Sequence, residues 1–245
     1  SSNPFQTRVA EEDIQRRALE EFDGMVSLLE EHEIPVIVAK DPPEPQTPDS
    51  IFPNNWFSTH SDGSLVLYPM FAPNRRLERD PAIIRMIMAA AGTKRILDLS
   101  YWEDKGKFLE STGSMVLDRK ARIVYACRSP RTSEVVLDDF CRRMGYNSIL
   151  FDAVDKAGYP IYHTNVMMSV GEKFAVLCED VIISPPELRE VESNLSASGK
   201  TIIRITLEQL SALSEHGEIL PVQISHIEEA GGGSARCMLA EVICC

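Results

Sequence analysis

The chain has 245 residues, of which 44% are hydrophobic and 25% charged, and its formal net charge is -12 at pH 7. This composition is ordinary for a soluble globular protein with a substantial core. An acidic chain offers no basic face for phosphates, so nucleic acid is excluded as a partner. No apolar run approaches the roughly 20 residues of a membrane span, and the polar stretch from Ser1 to Gln15 does not resemble a signal peptide.

Cysteine usage and histidine placement argue against a metal site or a disulfide framework. The six cysteines stand at positions 127, 141, 178, 237, 244 and 245, with no CxxC pair among them. Four histidines lie at element ends or in connecting segments, without metal-ligand spacing: His32, His60, His216 and His226. We therefore expect no metal and no cofactor. Reduced cysteines and the missing signal peptide predict a cytoplasmic protein.

The N-terminal segment predicts one helix, one strand and a stiff loop. Apolar residues recur every three or four positions from Val9 to His32, which is typical of an amphipathic helix. The apolar run Pro35–Ala39 predicts a short buried strand. Four prolines between Asp41 and Pro48 predict a rigid loop.

The next segment predicts four elements in the order strand, strand, helix, strand. Asp80 and Pro81 are typical of a helix N-cap and a first helical position, and Gly92 of a helix end. The predicted elements are a strand over Ile51–Thr59, a turn at Ser61–Gly63, a strand over Ser64–Pro69, the helix from Asp80 to Gly92 and a strand over Lys94–Asp98.

The same order recurs twice more along the chain. The second unit has strands over Leu109–Leu117, Arg122–Cys127 and Ser148–Asp152, with a helix over Arg131–Met144. The third unit has strands over Tyr162–Val170, Lys173–Cys178 and Thr201–Ile205, with a helix that begins at the capping box Ser184–Glu187.

A spacing of about 50–55 residues between these units is typical of repeat architectures. Such units cannot bury their faces alone, so we expect an α/β domain, covering residues 1–245, whose units pack around a common axis as a closed fan or propeller. The leading helix and strand resemble half of another unit, and the tail from Leu207 to Val242 resembles a partial fifth. The alternative is an open α/β sheet, which is disfavoured because the units repeat and no glycine-rich nucleotide loop follows a strand.

Each unit carries polar residues in its first predicted strand, where a buried strand is normally apolar. They are Asn54 and Asn55 in the first unit, Glu110 in the second, and His163 and Asn165 in the third. About 55 residues separate Asn55 from Glu110 and about 53 separate Glu110 from His163, which matches the repeat length. Repeat symmetry therefore predicts that these side chains face the axis together.

A glycine-rich stretch near the C-terminus carries the predicted nucleophile. Gly231–Gly233 have no β-carbons, so another group can approach their backbone closely. Arg236 and Cys237 follow, and a nearby cation favours the nucleophilic thiolate. With a histidine and an acid, this thiol completes a set for nucleophilic catalysis. The competing interpretation is a loop followed by a buried strand in which Cys237 is only a small hydrophobic residue.

Several short segments together carry a family resemblance. They are Pro48–Phe52, Ala72–Arg76, Leu109–Glu110, Ser129–Thr132, His163 and Gly231–Met238. The last resembles the nucleophile segment of arginine deiminases, and the others resemble segments of dimethylarginine dimethylaminohydrolases. The chain thus resembles the guanidino-group-modifying (pentein) superfamily, which also includes the arginine amidinotransferases. The resemblance covers nearly the whole chain and implies a five-bladed β/α propeller.

Within that superfamily, the chain most resembles deiminase-related hydrolases associated with citrulline use. The shared segments are Phe52–Phe57, Glu110–Leu117 and Gly231–Glu241. Compared with their pattern, the chain lacks a first strand before Asn3. The chain also continues directly from Leu210 to Ser211, where that pattern has a further strand and helix.

The resemblance implies a covalent mechanism. Cys237 is the expected nucleophile, Glu110 binds the nitrogens of the substrate head group, and His163 is the general acid and base. The expected head-group ligands are Asn54, Asn55 and Asn165. Further substrate-binding residues are Asp49 and three arginines that suit a carboxylate, namely Arg75, Arg76 and Arg131.

The asparagines indicate the kind of substrate. Deiminases carry carboxylates, which suit a guanidinium cation, at the positions of Asn55 and Asn165. An asparagine offers an acceptor and two donors, so it matches a neutral ureido group. We therefore predict a small amino-acid substrate, citrulline, that is hydrolysed to ornithine, carbon dioxide and ammonia. The alternatives are an arginine or methylarginine hydrolase, an amidinotransferase, and a non-catalytic pentein that only binds. A homodimer is an expectation from base rates alone.

Overall fold

The computed structural model describes residues 11–155, 157–205, 224–227 and 235–244. Within these ranges nine strands form three sheets of three strands each. The strands are β1 (Phe57–Thr59), β2 (Ser64–Leu67), β3 (Arg95–Asp98), β4 (Met115–Asp118), β5 (Ile123–Cys127), β6 (Asn147–Phe151), β7 (Met168–Val170), β8 (Phe174–Leu177) and β9 (Thr201–Arg204). In each sheet the first pair of strands is antiparallel and the second pair is parallel.

Helices supply the crossovers that parallel strand pairs require. The α-helices are α1 (Glu11–Glu31), α2 (Pro81–Ala91), α3 (Ser111–Ser114), α4 (Glu134–Met144) and α5 (Pro185–Ala197). Of these, α2, α4 and α5 each join the second and third strands of one sheet. The predicted order strand, strand, helix, strand is therefore confirmed for three units. The fold is α/β, and closure into a five-bladed propeller stays a prediction.

The start and end of α2 follow the sequence signals closely. The Asp80 side chain accepts hydrogen bonds from the backbone N–H groups of Ala82 and Ile83, at 2.6 and 3.3 Å. At the other end, Gly92 has a φ of 63°, a left-handed conformation that costs a glycine little. These caps satisfy backbone groups that a helix end would otherwise leave unpaired.

The first strand of each unit begins later than the sequence suggests. Each predicted strand starts instead with a helical turn, namely Pro53–Asn55, α3 and Thr164–Val166. The physical reason is local, because Pro53 fixes φ and small hydroxyl side chains bond to nearby backbone rather than extending a strand. The Ser114 hydroxyl, for example, accepts a hydrogen bond from the backbone N–H of Glu110 at 3.0 Å. The polar residues of interest therefore sit on or beside turns.

The segment Pro35–Ala39 is not the buried strand that its sequence predicts. It has no regular secondary structure, and Ile37 and Val38 are 50% and 51% exposed. A strand needs a hydrogen-bonded neighbour, and no strand in the described ranges pairs with this segment. Most of the predicted tail from Leu207, including Leu210 and Ser211, lies outside the described residues.

Packing between units fixes the scaffold that carries the turns. Lys200 and Asp118 form a buried ion pair between the second and third units, with Nζ and Oδ2 3.2 Å apart. The same ammonium donates to the backbone oxygen of Glu172 at 2.9 Å. Met25 of α1 packs in one hydrophobic cluster with Cys237, so α1 supports the C-terminal turn. None of the helices in the described ranges is long and apolar enough to cross a bilayer.

Candidate active site

Four short turns from different parts of the chain meet at one place. The turn Pro53–Asn55 contacts both α3 and the turn Ala235–Met238, and α3 contacts the turn Thr164–Val166. The side chains carried by these turns, or next to them, are Asn54, Asn55, Glu110, His163, Asn165 and Cys237. The structure thus brings together the groups that repeat spacing and the glycine-rich stretch predicted.

Glu110 and His163 form a buried pair among these turns. Nε2 of His163 lies 2.7 Å from Oε2 of Glu110, and Glu110 is fully buried. An ionised carboxylate only accepts hydrogen bonds, so Nε2 carries the proton and Nδ1 is the basic nitrogen. Burial lowers the pKa of His163, and Glu110 opposes this shift without reversing it. The imidazole is therefore neutral near pH 7.

Three donors hold Glu110 in its ionised form. Besides His163, Arg131 donates from Nη1 to Oε2 at 3.1 Å, and the backbone N–H of Phe71 donates to Oε1 at 3.1 Å. Burial alone would raise the pKa of Glu110, but the hydrogen bond from His163 and the positive charge of Arg131 lower its pKa to about 2. The site therefore holds a fixed negative charge.

Gly113 separates His163 from Asn55, and sequence reasoning did not single it out. A β-carbon on Gly113 would lie 2.3 Å from Nδ2 of Asn55 and 3.1 Å from Cε1 and Nδ1 of His163. No side chain fits at that distance, so the close approach of the two groups requires glycine. The available signal was its position three residues after Glu110, within the same polar run.

Cys237 is 7% exposed in the turn Ala235–Met238. Nδ2 of Asn165 donates to its sulfur at 3.8 Å. Arg236, which was expected to help hold the thiolate, instead donates from Nη1 to a backbone oxygen two residues beyond Cys237 at 2.9 Å. Gly231–Gly233 lie outside the described residues.

The three asparagines carry buried polar atoms that no described residue satisfies. Both polar side-chain atoms of Asn54 lack a hydrogen-bond partner, as do Nδ2 of Asn55 and Oδ1 of Asn165. Buried polar groups are nearly always paired, so unpaired ones beside the Glu110–His163 pair mark where a ligand would bind. Together these atoms offer two donor groups and two acceptors.

Arg75 is buried, and its guanidinium is bound by protein acceptors. Nε and Nη2 donate to the two oxygens of Glu78 at 2.7 and 2.9 Å, and Nη1 donates to Oδ1 of Asn55 at 2.8 Å. Burial disfavours the charge, but Glu78 outweighs burial and raises the pKa of Arg75. The guanidinium of Arg75 thus binds protein groups in the structure. The sequence had predicted that Arg75 binds the substrate carboxylate.

Arg76 and Arg131, the other predicted carboxylate ligands, lie against aromatic rings. The guanidinium carbon of Arg76 is 5.7 Å from the ring centroid of Phe108, and that of Arg131 is 4.5 Å from the centroid of Tyr162. Such stacking holds a guanidinium in place while its edge remains a donor. Asp49 is buried, and its Oδ2 accepts a hydrogen bond from a neighbouring asparagine side chain at 3.3 Å.

This arrangement suits covalent catalysis at a polarised carbon. It combines a thiol, a neutral imidazole with a basic Nδ1, an ionised carboxylate and unpaired amides. Across the described ranges, no group of three or more His, Cys, Asp and Glu side chains is placed to hold a metal ion.

Comparison with solved structures shows the same fold at low sequence identity. The N-terminal domain of ArgZ, crystallised with a covalently bound reaction intermediate, has a TM-score of 0.76 at 15% identity, over 99% of this chain and 92% of that chain. Dimethylarginine dimethylaminohydrolase, crystallised as an adduct with S-methyl-L-thiocitrulline, has a TM-score of 0.64 at 14% identity, over 91% and 87% of the two chains.

Two longer proteins contain this fold as one part. AgrE, in a mutant complex with L-arginine, has a TM-score of 0.74 at 17% identity, over 96% of this chain and 37% of that chain. ArgZ, an arginine dihydrolase from the ornithine–ammonia cycle in cyanobacteria, has a TM-score of 0.72 at 16% identity, over 93% and 38%. The present chain thus spans well under half of either protein.

A family model identifies the chain more specifically than these likenesses of fold. No curated protein sequence matches the chain. A model described as N,N dimethylarginine dimethylhydrolase, eukaryotic, matches residues 1–213 and 207–244, which is nearly the whole chain. The chain therefore belongs to the N,N dimethylarginine dimethylhydrolase family of pentein C–N hydrolases.

Proposed function

We propose that this protein is a cysteine-dependent hydrolase of the C–N bond in an amino-acid ureido or guanidino group, with citrulline as its substrate. Citrulline and one water molecule give ornithine, carbon dioxide and ammonia. The proposal takes residues 1–245 as one catalytic domain.

The observation that carries this proposal is the mixed polarity of the unpaired asparagine atoms. Asn54 and Asn55 offer Nδ2 donors, while Asn54 and Asn165 offer Oδ1 acceptors. A ureido group has a carbonyl acceptor as well as N–H donors, so it satisfies both kinds of atom. A guanidinium has only donors and would leave the Nδ2 groups unpaired, at about 1–3 kcal/mol for each.

The charges in the site support the same choice. Glu110 supplies a negative charge, but Arg131 already pairs with it at 3.1 Å. A guanidinium buried beside this pair would add a second cation, and an uncompensated buried charge is costly. A neutral ureido group adds no charge. The electrostatic balance of the unbound site therefore favours the neutral substrate.

In the proposed mechanism, Nδ1 of His163 takes the thiol proton of Cys237, and the resulting thiolate attacks the ureido carbon. The bond from that carbon to the ornithine nitrogen breaks, and His163 passes the proton from Nδ1 to the departing amine. An S-carbamoyl enzyme remains. His163 then takes a proton from water, which attacks the carbamoyl carbon and releases the thiolate. The carbamate so formed decomposes to carbon dioxide and ammonia.

The remaining polar residues would position the substrate. Glu110 accepts hydrogen bonds from the head-group nitrogens, next to the asparagines. We assign the substrate carboxylate to Arg76, because Arg75 is bound to Glu78 and Arg131 is bound to Glu110. Arg131 stays a predicted substrate-binding residue. The 30% exposure of the Arg76 side chain supports its assignment as a ligand near the opening of the site. Asp49 stays a predicted substrate-binding residue.

Hydrolysis of arginine or a methylated arginine is the second candidate. The family description names N,N dimethylarginine, the full ArgZ protein is described as an arginine dihydrolase, and AgrE was crystallised with L-arginine. With a guanidino substrate, the same thiol would attack the guanidino carbon. Amidino transfer would additionally require a second amine in place of water.

A product screen by mass spectrometry tests the proposal. The purified protein is incubated separately with citrulline, arginine and methylarginines, and ornithine, citrulline, ammonia and methylamines are measured. We expect turnover of citrulline and a lower kcat/KM for arginine. A clear preference for arginine or a methylarginine would refute citrulline as the substrate.

Cysteine variants test the covalent step in the same assay. Cys237→Ser should abolish turnover with the fold intact. Cys244→Ser is the matched control, because Cys244 is exposed and lies outside the site; it should keep full activity. Activity retained by Cys237→Ser would remove this residue as the nucleophile.

A further inference from the structure

We infer that Arg75 is a positioning residue that fixes the amide of Asn55, so that its NH2 group rather than its oxygen faces the substrate head group. The effect on substrate choice rests on the proposed function. The orientation of the amide does not, and it is measurable in the free protein.

Arg75 is anchored at several points away from any ligand. Glu78 accepts from Nε and Nη2 in a two-point geometry, and both side chains are almost fully buried, with exposed fractions of 6% and 2%. Nη2 also donates to the backbone oxygens of Phe52 and Asp49, at 2.9 and 3.3 Å. A guanidinium held in this way does not turn to follow a substrate.

The bond from Arg75 to Asn55 determines which way the amide points. Nη1 of Arg75 lies 2.8 Å from Oδ1 of Asn55. A guanidinium has only donors, so its neighbour in this position must be the amide oxygen. A flipped amide would lose this hydrogen bond and bring two donors into contact. The NH2 group of Asn55 therefore points to the opposite side.

The Glu110–His163 pair lies on that opposite side. Nδ2 of Asn55 has no hydrogen-bond partner among the described residues. It lies 2.3 Å from the point that a β-carbon of Gly113 would occupy, and Nδ1 of His163 lies 3.1 Å from the same point. The fixed donor is thus next to the imidazole that transfers the proton.

A donor fixed at this place recognises an oxygen atom. A ureido carbonyl accepts from it, and so does the oxyanion that forms on that oxygen when Cys237 attacks the carbon. A guanidinium presents N–H groups there instead and gains no hydrogen bond. Arg75 thereby contributes to the choice between ureido and guanidino substrates without touching either.

The first test measures the amide orientation directly by NMR, with asparagine labelled with nitrogen-15. The Asn55 side-chain signal is identified by its absence in Asn55→Asp. In the wild-type protein we expect a nuclear Overhauser effect between the Asn55 NH2 protons and the α-protons of Gly113. In Arg75→Met this effect should be lost or strongly weakened. A wild-type protein without it, or a variant that keeps it unchanged, would overturn the inference.

The second test is a double-mutant cycle on substrate choice. The measured quantity is the ratio of kcat/KM for citrulline to that for arginine. Arg75→Met should lower this ratio about tenfold, the equivalent of one hydrogen bond. In an Asn55→Asp background the same substitution should change it less than about twofold, because a carboxylate has two equivalent oxygens and no orientation to fix.

The outcomes separate this inference from the proposed function. Equal fold-changes in both backgrounds would show that Arg75 is only general support for the fold, and would overturn the kinetic role. If the wild-type protein hydrolyses neither compound, the proposed function fails, and the NMR experiment still decides the orientation. Arg75→Lys, which keeps a cation beside Glu78, replaces Arg75→Met if thermal unfolding shows that the latter does not fold.

Discussion

Two histidines of this protein are buried to a similar extent but have opposite electrostatic surroundings. His163 is 6% exposed and His60 is 3% exposed. Nε2 of His163 lies 2.7 Å from the carboxylate of Glu110, whereas Nδ1 of His60 lies 3.4 Å from the guanidinium of Arg119. Any difference in their roles therefore comes from the neighbours and not from burial.

His60 is held at both ring nitrogens. Its Nε2 lies 2.8 Å from Oγ of Ser58, which in turn lies 2.7 Å from the hydroxyl of Tyr68. Arg119 can only donate, so Nδ1 of His60 accepts from it. Burial, followed by the charge of Arg119, lowers the pKa of His60 to about 3. This imidazole is a neutral structural link with no nitrogen left for chemistry.

His163 differs in one respect that matters for catalysis. Glu110 occupies its Nε2–H, whereas Nδ1 lies 3.1 Å from the point that a β-carbon of Gly113 would occupy, beside the unpaired amide nitrogen of Asn55. A buried histidine thus becomes a candidate for proton transfer when an acid fixes one nitrogen and the other stays open.

Exchange of each histidine for glutamine is the strongest test of this contrast. His163→Gln removes the basic nitrogen, so kcat should fall by about 10²–10⁴-fold, the usual contribution of a general acid and base. The melting temperature should change little, because the amide of glutamine can still donate to Glu110. Steady-state kinetics and thermal unfolding measure the two effects.

His60→Gln is the matched control and should show the opposite pattern. It removes a ring that is hydrogen-bonded at both nitrogens and packs 6.1 Å from the ring of Phe140. The free energy of unfolding should fall by about 1–3 kcal/mol, while kcat stays within a few-fold of wild type. A loss of kcat as large as that of His163→Gln would abolish the distinction.

Gly113→Ala tests whether the reaction uses the space beside Nδ1 of His163. The added methyl group would stand 2.3 Å from Nδ2 of Asn55 and 3.1 Å from Nδ1 of His163. Arg75 holds Asn55 in place, so one of these two side chains must shift. A displacement of this kind costs about 10²-fold in kcat/KM.

Gly24→Ala is the control, because nothing lies within 4 Å of the added carbon in α1. It should leave activity unchanged and keep or slightly raise stability. Equal activity in the two alanine variants would show that the space around Gly113 is not used.

Periodic features of this protein were predictable from its sequence. The three units, their order of elements and the caps of α2 follow from apolar patterning, Gly and Pro placement and a fixed spacing. Glu110 and His163 were predicted because their residue types are unusual at those positions of a repeat, and Cys237 because it follows a glycine-rich stretch and a cation. Local hydrophobic pattern alone failed at Pro35–Ala39, since strand pairing depends on distant residues.

Features that depend on which atoms face each other were not predictable. Arg75 and Arg76 are adjacent, and nothing in their sequence indicates that Glu78 binds the first while the second lies against Phe108. Gly113 gains its meaning only from side chains that approach it from two other turns. The distinction between His60 and His163 likewise rests on residues from other units.

The pH dependence of the free energy of unfolding gives the smallest expected effect and the most specific test of the contrast between His60 and His163. Both histidines have a folded pKa below the ordinary value of 6.5, and that of His60 is about 3. Below pH 6.5 the unfolded chain therefore binds protons that the folded protein does not, so the free energy of unfolding falls as the pH is lowered. Each such histidine contributes a slope of at most about 1.4 kcal/mol per pH unit.

Comparison of each variant with wild type between about pH 6.5 and 5 isolates this effect, because the other groups that titrate there, such as Glu78 with a pKa that burial raises to about 7, are present in both proteins. In that window, urea unfolding of His60→Gln should show a shallower dependence on pH than wild type, by up to one proton. His163→Gln should show a smaller reduction, because Glu110 opposes the lowering of its pKa. An unchanged slope in His60→Gln would mean that this imidazole accepts a proton in the folded protein, and that Arg119 does not keep it neutral.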